Sequence, residues 1–600
     1  MNDYQEIATA PGDLPQREIV RRLQTVRNQF RHENTTSPLA PGPGDPVRVD
    51  AIAGAGRGVV SAAVSYTTDG TNPNDSSQRV EMANVGTEWV CFGEYARRWT
   101  ATLPGHDHGV TVRYRIVGRD AEGREVAAQD GQGLWYGHPA ERSVTTFAYR
   151  VRRDHSAPDW FKTAVIYQIF VDRFRRPGGF VASEDLQSKH GGRINGITEQ
   201  LPYLSELGVT CLWLSPIGPA PSYHRYDTTD YFAVDPVLGE VNDLRSLTDA
   251  AHERGMRVIL DFVPCHLSKD HPAFVAAQSD PNAETREWFV FYEWPTKYRS
   301  FLDMVPGLVS LNTESRGVRD FLIESARFWI DCGIDGFRLD HVIGHGMDFW
   351  VEFQNALEES KADVVTIGEA TDTGDALRRY HGRMNGILDF PLARALRLTF
   401  ATGDWSVADL DGFLDLYDSY MTPGPARVSF LDNHDMDRFL YVASQDTASL
   451  RLAALCMMTL SQTPVLYYGT EIGMTHEHPT SSREHGGDAL ARQDMEWDAS
   501  RWDRELLDYF KRLIALRASL GDVMRGERRR THLDSGAGTY AYALSAGDRR
   551  TVVLFNVSRA KRIVPIVRPE EVLLATTSGA ELRGDAVRLP ARSAAVVRAR

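Results

Sequence analysis

The stretch Asp335-Gly336-Phe337-Arg338-Leu339-Asp340 is a short apolar run that carries an arginine inside it and an aspartate at its end. Downstream, Gly368-Glu369 and Asp432-Asn433-His434-Asp435 close two further apolar runs in the same way. Three acidic side chains therefore stand at the ends of three separate runs, with Arg338 two residues before the first. Two carboxyl groups that converge from different strands are what cleavage of a glycosidic bond requires. One attacks or stabilises the sugar carbon, and the other protonates the departing oxygen.

Working outward, the runs of this type are Ala164–Phe170, Val209–Leu214, Arg257–Val263, Ile334–Leu339, Val364–Ile367, Gly386–Phe390, Ala426–Leu431 and Pro464–Tyr468. Helical stretches such as Val318–Asp331 and Asp348–Ser360 separate them. Buried strands alternating with helices predict a closed parallel (β/α)8 barrel over residues 160–515, a fold whose chemistry sits at the C-terminal strand ends. The interval 267–314 is too long for an ordinary loop. It carries Trp288, Phe291, Tyr292, Trp294, Tyr298 and Phe301, and is expected to form a small subdomain after the third strand.

Residues 1–45 read as a helix over Arg17 to Arg31, with Ile19, Leu23, Val26 and Phe30 on one face, then a Pro/Gly linker. Short alternating runs with turn signals over residues 46–150 predict a β-sandwich. Its Trp89, Trp99 and Trp135 serve either as a sugar-stacking, carbohydrate-binding platform or as ordinary core and edge aromatics. Residues 516–600 predict a C-terminal antiparallel β domain, from runs such as Tyr540–Leu544 and Thr551–Phe555.

The 600 residues are 42% hydrophobic and 25% charged, ordinary for a globular chain, with a net charge of −14 that repels nucleic acid and anionic membrane surfaces. No run reaches the roughly 18 apolar residues of a membrane span, and the first residues lack the basic and apolar regions of a secretory signal. The five cysteines are scattered and free of CxxC spacing, which suits a reducing compartment and gives no metal site. These features point to the cytoplasm. With no GxxxxGK[ST] or well-placed GxGxxG, no nucleotide cofactor is expected, nor any other.

Polar groups follow the apolar runs regularly: Asp261 and His266 on and beyond the third, Arg338 and Asp340 at the fourth, Glu369 at the fifth, His434 and Asp435 at the seventh. Burying so many carboxylates near one axis is expensive unless they are paired or functional.

The stretches Asp261-Phe262-Val263-Pro264-Cys265-His266, Gly336-Phe337-Arg338-Leu339-Asp340, Gly368-Glu369 and Phe430-Leu431-Asp432-Asn433-His434-Asp435 resemble the α-amylase family of retaining glycoside hydrolases and transglycosylases. Supporting stretches are His224-Arg225-Tyr226-Asp227-Thr228-Thr229-Asp230-Tyr231 and Tyr467-Tyr468-Gly469-Thr470-Glu471. The similarity spans roughly residues 160 to 515. The flanking β domains are placed as in the cyclomaltodextrinase and neopullulanase branch. The resemblance implies Asp340 as nucleophile, Glu369 as general acid and base, and Asp435 as transition-state stabiliser. It implies further that Arg338 keeps Asp340 ionised, that His266 and His434 bind the same ring's hydroxyls, that Asp227 with Arg438 closes its far side, and that Tyr226 offers a stacking surface. The implied partner is an oligosaccharide, a short α-glucan such as a maltooligosaccharide or cyclodextrin. A homodimer through the N-terminal domain is the assembly found in relatives.

The sequence departs from the pattern at Cys265, where the family usually has an asparagine that helps hold calcium in many members. A thiol is a poor ligand for that hard cation, so no calcium site carries over. Adjacent residues of a strand point to opposite faces, which argues against a Cys265/His266 nucleophilic pair. Glu369 is followed by Ala370-Thr371 and Asp340 by His341-Val342-Ile343-Gly344, which match no substrate signature. A dedicated α-glucosyl or maltosyl transferase, a hydrolase of α-1,6 or other α-linkages, and a non-catalytic amylase-fold glucan-binding protein stand as alternatives.

Overall fold

Eight parallel strands close into a barrel: β1 (Ile166–Ile169), β2 (Cys211–Leu214), β3 (Arg257–Phe262), β4 (Gly336–Leu339), β5 (Val365–Gly368), β6 (Gly386–Leu388), β7 (Ala426–Ser429) and β8 (Thr463–Tyr467), with β8 pairing back to β1. The structure is a computed structural model that describes residues 24, 26–74, 76–91, 94–130, 145–180 and 185–600. Each expected run overlaps one of these strands: six strands are shorter by one to three residues, with flanking apolar groups such as Val165 and Phe170 buried outside the ladder, and β5 and β8 are shifted by one residue. Strands such as β1, β2, β4 and β5 are buried at every position, which is why they read as continuous apolar runs rather than alternating ones.

Helix α1 (Val241–His252) leads into β3 and begins with a reciprocal cap in which Glu240 and Asp243 each accept from the other's backbone N–H. Helix α2 (Arg316–Asp331) leads into β4 and buries Val318, Leu322, Ala326, Trp329 and Ile330, an i, i+4 stripe. Each such buried aliphatic side chain contributes about 1.5–3 kcal/mol. Gly336 opens β4 because a Cβ there would stand 2.4 Å from the Val365 carbonyl oxygen of β5. Below it, the buried Asp335 carboxylate accepts from His252 (2.7 Å), Arg257 (2.8 Å), Lys361 (2.7 Å) and the Val258 N–H (2.7 Å). That cluster ties β4 to α1, β3 and the segment leading to β5, and it serves the barrel floor rather than the reactive rim.

Between β3 and β4 the chain builds a small subdomain. It has a three-stranded sheet of His266–Ser268, Val305–Ser310 and Ser300–Phe301, a hairpin of Phe291–Glu293 with Lys297–Tyr298, and a helix over Pro272–Ser279. Phe274, Phe289, Phe291 and Tyr298 form its small aromatic core. After the last barrel helix, Arg504–Leu520, a five-stranded antiparallel sheet and a three-stranded one enclose a core of Ala541, Val552, Leu554, Val564, Val587, Leu589 and Val597.

A separate compact unit holds the described residues up to Ser156 together with Gly344–Ala356 and Asp375–Asn385. Its main sheet runs Phe147–Arg150, Thr111–Arg119, Ser61–Thr67, Gln78–Cys91, Glu94–Leu103, Val47–Gly54, Phe30–His32, Gln129–Asp130. The long strand Gln78–Cys91 pairs with one neighbour through its first half and with another through its second. Both halves of the sheet supply one core, with Val47, Val49 and Trp99 from one side and Val64, Val112, Tyr114 and Phe147 from the other. Trp99 is thus a core residue, Trp89 is 64% exposed, and Trp135 lies outside the described residues. The expected helix over Arg17–Arg31 falls mostly outside them too. At its end the structure differs, since Phe30 and Arg31 are in a strand, where pairing with Val47–Gly54 overrides the helical spacing.

Candidate active site

Strand register assembles the centre of the site. Asp261 on β3 is level with Arg338 on β4, and Leu339 is level with Gly368 on β5, so Asp340 and Glu369 leave adjacent strands at the same height. Arg338 and Asp340, two residues apart, share a face by the pleat's alternation. The guanidinium of Arg338 lies completely buried among three carboxyl groups: Asp261 at 2.8 Å, Asp340 at 2.8 Å and Glu369 at 2.6 Å. One cation facing three carboxyls cannot neutralise them all, and the protons distribute accordingly. Burial alone would raise the Asp340 carboxyl, but Arg338, together with His266, His341 and the Cys265 thiol, outweighs it and holds that group below the ordinary carboxylate value. Burial, reinforced by Asp340 and Asp435, pushes Glu369 up to about 7 against the pull of Arg338. Burial likewise pushes Asp261 up to about 7, with Asp340 adding to it. Two carboxyls of opposed acidity thus stand on neighbouring strand ends in one site, the separation that paired acid and base roles require.

The backbone supports this arrangement. His341, directly after Asp340, adopts φ +43°, a left-handed conformation uncommon for a non-glycine residue, and its N–H donates to Glu369 Oε2 at 3.1 Å. The turn after β4 therefore places one carboxyl and orients the other.

Asp435 comes from the loop after β7. Its carboxylate contacts Arg492 Nη2 (2.7 Å) and His434 Nε2 (2.9 Å), and these two groups, against burial, hold it far below the ordinary range. Gln168 on β1 donates to His434 Nδ1 (2.7 Å), which leaves the Nε2–H facing Asp435 and the Tyr226 hydroxyl (2.6 Å). Tyr226 in turn donates to Asp261 Oδ2 (2.8 Å), joined there by the Trp213 indole N–H (3.2 Å). A continuous hydrogen-bonded chain thus links His434, Tyr226 and Asp261 to Arg338. The Tyr226 ring stacks on His434 with centroids 5.4 Å apart and planes 4° from parallel.

The structure gathers most of the expected site residues, though not all in the expected posture. Asp227 accepts from the Ser222 hydroxyl and N–H and makes no pair with Arg438. Arg438 is fully buried, donates to the Tyr468 carbonyl at 2.9 Å, and lies over the Tyr467 and Tyr468 rings at 4.5 and 5.0 Å. Both nitrogens of His266 meet protein atoms, Nε2 the Tyr226 carbonyl (3.1 Å) and Nδ1 the Cys265 sulfur (2.9 Å). The Cys265 thiol also reaches Asp340 Oδ2 at 3.3 Å. The expectation that Cys265 and His266 face apart fails because β3 ends at Phe262; the alternation rule stops with the strand. A thiol aimed at an imidazole and the Asp340 carboxylate does not fit a calcium ion, which takes six to eight oxygen donors.

Arg492 escaped sequence reading. It lies between β8 and the last barrel helix, where Asp488 four residues before it (3.7 Å) makes it read as half of an ordinary local ion pair. Its role appears only in space, where it also donates to the His434 carbonyl (2.7 Å) and Tyr223 hydroxyl (3.0 Å). Trp213 and Gln168 sat inside apolar strand motifs, where an indole or amide reads as packing.

Comparison with known proteins agrees with this geometry. The family model described as alpha amylase, catalytic domain, matches residues 168–519. The chain is 34% identical to neopullulanase 2 of Thermoactinomyces vulgaris, over 76% of this chain and 81% of that protein. It is 33% identical to a cyclomaltodextrinase of Geobacillus thermopakistaniensis, over 76% of this chain and 79% of the other. Among solved structures, the cyclic α-maltosyl-(1→6)-maltose hydrolase of Arthrobacter globiformis superposes with a TM-score of 0.65 at 27% identity, covering 74% of this chain and all of that one. A family model that spans more than half of the chain, set on a barrel with paired carboxyls at its strand ends, places the chain in the α-amylase family of glycoside hydrolases.

Proposed function

We propose that this chain cleaves α-glucosidic bonds in short maltooligosaccharides or cyclic dextrins with retention of configuration, through a covalent glycosyl-enzyme intermediate. The observation that carries the reading is the split in acidity between two carboxyls on one guanidinium, with Asp340 held down and Glu369 raised to about 7. Ionised Asp340 attacks the anomeric carbon while Glu369 gives its proton to the departing glycosidic oxygen. In the second half Glu369 takes a proton from the incoming water or sugar hydroxyl as the carbon–Asp340 bond breaks, which restores both groups. Asp435, fixed by His434 and Arg492, offers its half-exposed carboxylate to hydroxyls of the distorted sugar.

The names of the relatives, a neopullulanase, a cyclomaltodextrinase and a cyclic maltosyl-maltose hydrolase, support α-glucans as the substrate class. The four described cysteines are free and buried, in keeping with a cytoplasmic setting, and no helix of the described residues is long and apolar enough to cross a membrane. Exposed Val85, Trp89 and Tyr95 on neighbouring strands of the N-terminal unit support a homodimer through that unit, tested by sedimentation of a Trp89→Ser variant.

The experiment for the function is incubation with maltotriose, cyclodextrin, pullulan, isomaltose, trehalose and sucrose, with products resolved and their anomeric form read by NMR at early times. Release of the α-anomer from maltotriose or cyclodextrin is expected. Initial β-anomer, or no turnover of any α-glucan, overturns the reading.

A further inference from the structure

We infer that Cys265, His266 and Asp340 form a binding site for a thiophilic divalent cation, of the class of Zn2+ or Cd2+, whose occupancy removes the Asp340 carboxylate from reaction. Among the described residues, these three are the group of His, Cys, Asp and Glu side chains whose ligand atoms all lie within 4.8 Å of one another, and all three are buried. Bonds of about 2.3 Å to sulfur and about 2.0–2.1 Å to nitrogen and oxygen put tetrahedral donors roughly 3.3–3.6 Å apart. Cys265 Sγ already stands 2.9 Å from His266 Nδ1 and 3.3 Å from Asp340 Oδ2, so a cation needs the first pair to open by about 0.6–0.7 Å and the second by about 0.2–0.3 Å.

The surroundings are those of a metal site. His266 gives its Nε2–H to the Tyr226 carbonyl at 3.1 Å, which leaves the Nδ1 lone pair pointing at the sulfur. A backbone carbonyl holding the far nitrogen of an imidazole is the usual outer support of a metal-ligating histidine. Asp340 is held likewise, its other oxygen on Arg338 at 2.8 Å. Three carboxyls gather around that single arginine, so the local field favours a cation. The donor set, one thiol, one imidazole and one carboxylate, suits borderline and soft ions and disfavours calcium and magnesium.

Binding is a proton-for-metal exchange with no redox step. In the empty site the Cys265 thiol donates its S–H to Asp340 Oδ2 at 3.3 Å. The S–H bond breaks, its proton leaves to solvent, and the sulfur–metal bond forms as the ion sheds water ligands. The carboxylate that ligates the ion is the one Asp340 needs for attack. Occupancy therefore competes with substrate. That competitive half rests on the function proposed above, whereas the binding half stands on geometry alone.

The test titrates the metal-free protein with Cd2+ and reads the ultraviolet sulfur-to-cadmium charge-transfer band, which does not depend on turnover. One Cd2+ per chain giving the band is expected. Cys265→Ser, which retains the other four of the chain's five cysteines, is expected to lose it. Asp340→Asn, which keeps the thiol, is expected to retain the band with affinity weakened at least about tenfold. In parallel, Zn2+ alone is expected to inhibit competitively, and its half-inhibiting concentration is expected to rise at least about tenfold in Cys265→Ser and Cys265→Asn, each measured against its own metal-free rate. Circular dichroism melting shows that each variant is folded. A band that persists in Cys265→Ser, or none in the native protein, overturns the site. A band lost in that variant with turnover untouched by saturating Zn2+ overturns the inhibitory half. Absence of glucan turnover refutes the proposed function and leaves the binding result standing.

Discussion

Replacing Arg338 with methionine keeps much of the side-chain volume and removes the one cation shared by Asp261, Asp340 and Glu369. If all three carboxyls kept their charge, the loss of a buried partner would cost about 3–5 kcal/mol. They escape part of that cost by taking up protons. An opposite charge within about 4–6 Å lowers a carboxyl's pKa by about 1–3 units, and Arg338 is the largest of the groups that draw Asp340 down, ahead of His266 and His341, so its removal lifts Asp340 by a comparable amount. Each unit corresponds to about 1.4 kcal/mol, a tenfold loss of the ionised nucleophile wherever pH lies below the new value. The acid limb of kcat/KM should therefore move up by about 1–3 pH units, with a further fall of about 100-fold at every pH from the loosened carboxyl pair. Arg338→Lys, which keeps the charge but not the two-pronged reach to both carboxyls, should shift the limb less. The assay is initial-rate release of reducing sugar from maltotriose or cyclodextrin across the acid range, with melting by circular dichroism as the control for folding. A folded Arg338→Met protein with the native acid limb would refute the assignment of Arg338 as the group that sets the ionisation of Asp340.

Glu369 raised to about 7 must carry its proton to act, so kcat/KM should fall as pH rises through about 7, and a flat profile to pH 9 would contradict that role. Asp340→Asn and Glu369→Gln should each abolish nearly all turnover while the melting curve stays native-like, as checked by stopped assays and calorimetry. Arg492→Leu removes a charged hydrogen bond worth about 1.5–3 kcal/mol to Asp435, so kcat/KM should drop by about 10- to 100-fold, with the inhibition constant of a transition-state mimic rising in step. At the barrel floor, Asp335 sits at about 2, below its ordinary 3.8, because His252 and Lys361 outweigh its burial. Its contribution of about 2 kcal/mol is then present above pH 3.8 and lost as pH falls through about 2. Urea unfolding at neutral pH should show Asp335→Asn destabilised by that amount.

The barrel was legible because parallel strands buried on both faces leave unbroken apolar runs, and all eight runs overlap a strand. Asp340 and Glu369 were legible for a related reason, since a carboxyl directly after such a run must emerge at the rim. What one sequence could not show is contact between loops. Arg492 reaches Asp435 across 57 residues, and Asp227, although it belongs to a recognisable stretch, lies near Ser222 rather than Arg438. The Cys265–His266 contact was misjudged where a rule for strands was carried past the end of β3. Phe30 shows the converse, a helical spacing overruled by a strand partner far along the chain.

The central claim is that Asp340 forms the bond to sugar while Glu369 moves the proton. The most direct measurement is mass spectrometry of the Glu369→Gln protein after reaction with an α-glucosyl fluoride, whose leaving group needs no acid, followed by peptide mapping of the adduct. The account predicts one glycosyl mass added per chain, on the peptide that contains Asp340 and absent in the Asp340→Asn, Glu369→Gln double variant. An adduct on any other residue, or one that survives in the double variant, would contradict it.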